Sequence, residues 1–343
     1  MGKTAFTDPT AVDAWDLWFR WREGARLRDL TIDATWERIA HAVAGATDAN
    51  ATQWAQRYVD AFSKWQILPG ERLLRDAGTG AAASAAPSAT TASQAALNVV
   101  AFVRQSRGAA TRFDRDEFLR VCGLTVRFLD DAALTSSGHS ANGLQIGLFG
   151  MADALSQLGC GYAGEAACAQ AREIAAAFAE GCLLGDLALA RERGANAVDG
   201  KRWGARFRAR GLGGETLADA RRYGMRYSRL TAIGSQPRIA LLANNTTDAL
   251  DPAMRLSAHE RASAATWRDP GLDRMAPCVA QKAQLELRAA VQPWIDRPID
   301  TPLLALREPD EATRAECAAL AARFALKSPR WRLPDIATTA RVA

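Results

Sequence analysis

Residues 226–252 read RYSRLTAIGSQPRIALLANNTTDALDP, and the division of this stretch decides the fold. Leu230, Ala232 and Ile233 make a short apolar run that suits a strand. Gly234, Ser235, Gln236 and Pro237 follow as turn residues. The run from Arg238 to Ala243 reads as a second strand or a helix start, and 244–248, NNTTD, reads as a polar loop.

Working outward, single apolar strands alternate with helical patterns. Upstream, AALNVVAFV (95–103) is compact and apolar, as a buried strand would be. Residues 114–134 carry a broad apolar face through Phe118, Val121, Leu124, Val126, Phe128 and Leu129. LQIGLFGMADALSQLG (144–159) predicts a loop-to-helix transition, and 164–192 a long alanine-rich helix. Downstream, 278–297 predicts a helix, TPLLAL (301–306) a short strand and 310–326 a last helix before an extended end. Residues 11–66 read as helices. Thr31 and Asp33 cap the pattern Trp36, Ile39, Ala40, Val43, and Trp15, Trp18 and Trp21 form a stripe expected to face the core. WQILPGERLLRDAGTG (65–80) predicts a short extended piece with a Pro-Gly turn. The expectation is an α/β fold with mostly parallel strands behind a helical N-terminal region.

Between these patterns lies GAAASAAPSATTASQ (80–94), with no charge, no aromatic and no branched aliphatic residue. It cannot bury enough surface to offset its ordering entropy, so it reads as a linker. The whole chain has 343 residues, 48% hydrophobic and 24% charged, which excludes global disorder. No apolar run is long enough to cross a bilayer, and the N-terminus has no apolar stretch behind a basic start. The expectation is a cytoplasmic protein with no membrane partner.

Six cysteines (Cys122, Cys160, Cys168, Cys182, Cys278, Cys317) form no CxxC pair and no zinc-ligand spacing with His41, His139 or His259. They read as small buried hydrophobes, and His139 as a solvated loop residue. Lysine occurs only at 3, 64, 201, 282 and 327, so arginine supplies the rest of the 43 basic residues, for a net charge of +5. Arginines concentrate in 201–229, interleaved with Trp203, Phe207, Tyr223 and Tyr227. That pattern fits either a nucleic-acid groove or a solvated helix surface. The GLGG at 211–214 lacks the strand and spacing of a dinucleotide fingerprint.

Several of these pieces, in order, resemble the large subunit of ribonucleotide reductase, above all its adenosylcobalamin-dependent (class II) branch. ILPGERLLRDAGTG is similar to that family's first barrel strand, LPGGRILAGAGT, and ALNVVAFV to its SINLARLV. IGLFGMADALSQLG resembles GLGVMGLADALAMLG, and RLTAIGSQPRIALLANNTTDALDP resembles the LTAIAPTGTISLIAGNTSSGIEP region. ATWERIAHAVAGA, TVRFLDDA, AAVQPWIDRPIDTPLLAL and CAALAARFALKSPRWR fit the same order, over roughly 30–335. The resemblance implies a helical region over 1–66, a reduced α/β barrel domain over 67–335 interrupted by the 80–94 linker, and a tail over 336–343.

The family's chemistry needs a radical cysteine in an Asn-x-Cys-x-Glu motif, with the Glu as general base, a reducing cysteine pair and a C-terminal recharging pair. This chain has no Asn-x-Cys-x-Glu. The place for it is taken by 80–94, no cysteine lies between Thr79 and Cys122, and the tail has none. No residue is therefore assigned as catalytic or metal-binding, and adenosylcobalamin is implied by the family alone. The family's phosphate-binding turn falls on Gly234, Ser235, Gln236 and Arg238, with Asn245 and Thr246 in the polar loop beside it. Pro237 removes one donor there, and Arg238 either compensates with a charge-assisted contact or is solvated. The resulting expectation is a protein inactive by itself, binding a nucleotide, a complete reductase or its own copy in deoxyribonucleotide metabolism. The alternatives are one part of a split, active reductase, or a nucleic-acid-binding or structural protein using 201–229.

Overall fold

Asp8 starts the first helix, α1 (Pro9–Trp18), by accepting the Thr10 N–H at 2.9 Å, and Pro9 sits where no helical donor is lost. The computed structural model describes residues 3–45, 50–80, 94–105, 110–135, 143–196, 200–252, 277–305 and 308–333. The linker (81–93), His139 and the tail expected at 336–343 lie outside them.

The N-terminal region is not wholly helical. A small hairpin, β1 (Arg22–Glu23) with β2 (Arg26–Leu27), separates α1 from α2 (Ile32–Ala44) and α3 (Ala51–Ser63). Trp15 is buried on α1, whereas Trp21 lies beyond the helix end, so the tryptophan stripe is broken. Thr31 caps α2 as its sequence indicates, accepting the Ala34 N–H at 3.2 Å. Buried Asp29 pairs with Arg38 of α2 at 2.8 Å, and Arg38 also donates to Leu74 O at 3.0 Å. That side chain ties α2 to α4 (Glu71–Asp76). Between them runs β3 (Ile67–Pro69), and Gly70 begins α4 rather than closing a turn.

The strands are few and short. β4 (Gln94–Asn98) takes only the first half of the apolar run, and the rest winds into a 3₁₀ turn over Val99–Phe102. A two-residue pair, β5 (Val103–Arg104) and β6 (Arg112–Phe113), leads into α5 (Arg115–Thr135). The stretch expected to pass from loop to helix holds a strand, β7 (Gln145–Phe149), ahead of α6 (Met151–Gln157). Its near-continuous apolar pattern is that of a strand covered on both faces, which carries no period-two signal. α7 (Glu165–Arg193), α8 (Gly200–Ala209), α9 (Gly214–Tyr223), α10 (Pro237–Leu242), α11 (Pro277–Val291), β8 (Leu303–Leu304), α12 (Glu311–Arg323) and β9 (Trp331–Arg332) complete the order.

β3 pairs antiparallel with β4, and β4 parallel with β7. Residues 229–232 then run parallel along β7, with Ile146 N–H donating to Leu230 O and Ala232 N–H to Ile146 O, both at 2.9 Å. Residues 297–300 follow through Arg297 N–H to Thr231 O and Asp300 N–H to Ile233 O, both at 3.2 Å. β8 and β9 form a last parallel pair. Among the described residues no pairing joins β3 to β9, so this mixed series of helix and strand does not close into a barrel.

Two long helices carry the core. α5 and α7 cross at Gly123, Gly181 and Gly185 with their backbones in contact. A Cβ built on Gly185 would lie 2.6 Å from Gly123 Cα, and one on Gly181 would lie 2.6 Å from Cys122 Cβ. Below the crossing the charges are buried as a set. Asp130 accepts from Arg226 (2.9 Å), Arg193 (2.6 Å) and the Tyr227 hydroxyl (2.6 Å). Burial pushes its carboxyl up, but the hydrogen bonds from Tyr227 and Arg193 and the charge of Arg226 outweigh it and hold the group below its ordinary value. Beside it Asp131 accepts from the Tyr58 hydroxyl at 2.5 Å, which brings in α3. Removing one partner from such a buried pair strands the other and costs on the order of 3–5 kcal/mol.

Gly185→Ala is expected to lower the unfolding free energy by about 2–3 kcal/mol, since the contact is backbone and cannot step aside; a denaturant midpoint within error of wild type would contradict this. At the other end of the chain, Ala325 follows α12 with φ +53° and is exposed. Ala325→Gly should raise stability by about 0.5–1 kcal/mol, because glycine carries no left-handed penalty there. A lower melting temperature would count against it.

Candidate functional site at the strand ends

The carboxyl ends of β4, β7 and 229–234 come together, which is where ligands bind in parallel α/β sheets. Gly150 follows β7 with φ +74°, and a Cβ there would lie 2.8 Å from Asn98 Oδ1, so only glycine fits. Its N–H donates to Thr247 O at 2.7 Å, and Thr247 N–H donates to Asp153 of α6 at 2.8 Å. These two bonds fix the 244–251 loop across the strand ends. Thr247 Oγ1 is buried with no hydrogen-bond partner among the described residues.

The residues assigned from sequence split into two groups. Ser235 and Gln236 meet at one carboxylate: the Ser235 hydroxyl donates to Asp248 Oδ2 at 2.5 Å and the Gln236 N–H to Oδ1 at 2.8 Å. Arg332 of β9 donates to Ser235 Oγ at 2.9 Å and reaches Asp248 at 3.3 Å. Gly234 lies beside them, bridged to Asp300 in the sheet. The remaining assigned residues face elsewhere. Arg238 pairs with Glu71 at 3.3 Å and lies over the Trp18 ring at 5.1 Å, half exposed. Asn245, with φ +56°, donates to Asp8 at 3.1 Å, and the Thr246 hydroxyl donates to the Ala240 and Ala243 carbonyls at 3.2 Å. Asn245 thus holds the N-terminal region onto the domain, while Asp248 at the end of the same loop meets the turn.

Asp251, Arg288 and Arg332 complete the cluster and were not singled out by sequence. Buried Asp251 accepts from Arg288 at 3.1 Å and also from Arg332. Burial pushes its carboxyl up to about 6, against the pull of both arginines. Tyr162 donates to Leu250 O at 2.6 Å, and burial pushes its phenol up. Arg288 shares an inward face of α11 with Gln281, Gln284 and Val291, but three of these four are polar, so no apolar pattern marked the face in the sequence. Nothing local marks Arg332.

The basic stretch is partly consumed inside the protein. Arg210 is buried against Asp296 at 2.8 Å and Arg226 against Asp130, while Arg208, Arg221, Arg222 and Arg229 are exposed. Cys122, Cys168, Cys182 and Cys317 are buried in helices, and Cys160 is half-buried after α6. Burial pushes the Cys122 thiol well up, so it stays protonated. Among the described residues no group of three acidic, cysteine or histidine side chains is arranged to hold a metal. No protein-family model and no curated protein matches the chain.

Because Asp251 holds its proton more tightly folded than unfolded, its contribution to stability is full below about pH 4 and is lost as pH rises through about 6. Asp251→Asn should therefore show a flatter stability profile than wild type between these limits, the two curves diverging by up to about 3 kcal/mol. Parallel curves would remove this assignment.

Proposed function

We propose that the chain is a catalytically silent relative of the adenosylcobalamin-dependent ribonucleotide reductase large subunit, acting in deoxyribonucleotide metabolism by association with a complete reductase. The observation that carries this reading is the closure of the 234–236 turn on Asp248. The groups that the resemblance assigns to a substrate phosphate already serve an internal carboxylate. A phosphate arriving there would meet a negative charge and would have to break bonds to Ser235, Gln236 and Arg332. Any nucleotide is then held away from this turn.

Two further features support the reading. The stretches likened to the family's strands, β4 and 229–232, both lie in the sheet with β7. Four of the described cysteines are buried in helices, and Cys160 is half-buried after α6. Adenosylcobalamin supplies the family with a radical that passes to a cysteine at the substrate. The chain has no Asn-x-Cys-x-Glu motif to place a cysteine and its general base at the substrate, so the residues present do not fit the cofactor.

Purified protein incubated with adenosylcobalamin, a dithiol and the four ribonucleotides is expected to form no deoxyribonucleotide above background. Turnover would overturn the inactive reading. Co-elution with a complete class II reductase in size-exclusion chromatography is the expected positive result, and separate elution at concentrations above about 10 μM would remove the regulatory role.

A further inference from the structure

The α5–α7 crossing leaves a surface groove that the strand-end loop does not touch. It measures about 560 Å³ and lies between α3, α5 and α7. Such a volume suits a small ligand rather than a protein. Its floor is Gly123, Gly185 and Ala188 with the buried flanks of Leu124 and Leu189, so the tight helix contact is also what hollows it.

The walls are basic and aromatic. Trp54 stands between two guanidiniums, Arg127 at 3.6 Å and Arg57 at 4.4 Å from the ring centroid. Arg127 is held by Glu192 through two bonds, at 2.6 and 2.7 Å. Arg120 shares Glu117, a residue outside the groove lining, at 2.7 Å. Exposed Arg57 has no carboxylate partner among the described residues and rests on Trp54 alone. Three arginines therefore line the groove with one carboxylate; Arg127 is held by Glu192 and Arg120 by Glu117 through two bonds each, which leaves Arg57 as the arginine without a carboxylate among the described residues.

We infer that this groove binds a small anion with a flat aromatic body. The body lies on the glycine floor against Leu124, Leu189 and the edge of Trp54. The anionic group is met by Arg57, which swings from the indole face, and by Arg120 across the groove. Arg57 is placed to choose charge, because stacking on an indole leaves its N–H edges open to an acceptor. The shape of the floor chooses flatness, since Gly123 and Gly185 are spent on the helix contact and Ala188 raises only a methyl.

The probes are 1-naphthyl phosphate, 1-naphthol and inorganic phosphate, titrated calorimetrically into the full chain. 1-Naphthyl phosphate should bind one to one with a Kd below about 1 mM, and each half-molecule at least about tenfold more weakly. Arg57→Glu should raise that Kd by at least about tenfold while leaving the melting temperature near wild type, as the residue is exposed and unpaired. Ala188→Leu, on an exposed helical position, should abolish binding by filling the floor. The Trp54 indole N–H resonance should shift in wild type and not in Ala188→Leu. Equal affinity for 1-naphthol, unchanged affinity in Arg57→Glu, or binding retained in Ala188→Leu would each overturn the inference.

Discussion

The close crossing of α5 and α7 is the contact on which the other parts depend. Three glycines let two helix backbones touch, and no other residue type leaves room at Gly181 or Gly185. Once the helices are that close, Asp130 and Asp131 on α5 come within reach of Arg193 on α7. The same carboxylate then draws Arg226 and Tyr227 inward, while Asp186 of α7 accepts the Arg226 N–H at 3.2 Å. That places the chain at 225–227, and the segment that follows it runs straight into the sheet beside β7. The position of the 234–236 turn is thus set from the helix pair outward, through a buried charge network that tolerates no missing member.

At the other end of the same segment, charge again decides the outcome. Asp248 and Asp251 are balanced by Arg288 and Arg332, which come from α11 and β9. Gln284 of α11 pairs with both backbone groups of Leu304, at 2.8 and 2.9 Å, and so fixes β8 and its partner β9 at the right height for Arg332 to reach in. The C-terminal elements close the strand-end site rather than leaving it open. The strand ends are finished internally with the chain's own carboxylates and guanidiniums.

Much of this was legible in the sequence, for identifiable reasons. α2, α5, α7 and α12 carry strong helical periodicity or clear caps, and their expected spans agree with the structure within a few residues. β7 was hidden because a strand covered on both faces shows an apolar run without alternation. The hairpin at 22–27 was hidden because its residues are charged and exposed. Within the site, Ser235 and Gln236 were singled out only through the resemblance to a phosphate-binding turn, composition marking them as turn residues and no more. Asp251, Arg288 and Arg332 were not, since their meaning lies in contacts between positions 37 and 81 residues apart.

The central claim is that Asp248 occupies the position an anion would take at the 234–236 turn. Calorimetric titration of ribose 5-phosphate, which has no aromatic body for the α3–α5–α7 groove, into wild type and Asp248→Ser tests it directly. The account predicts no heat of binding for wild type up to about 1 mM and measurable binding once the carboxylate is replaced by a hydroxyl. Micromolar binding to wild type that Asp248→Ser leaves unchanged would contradict it.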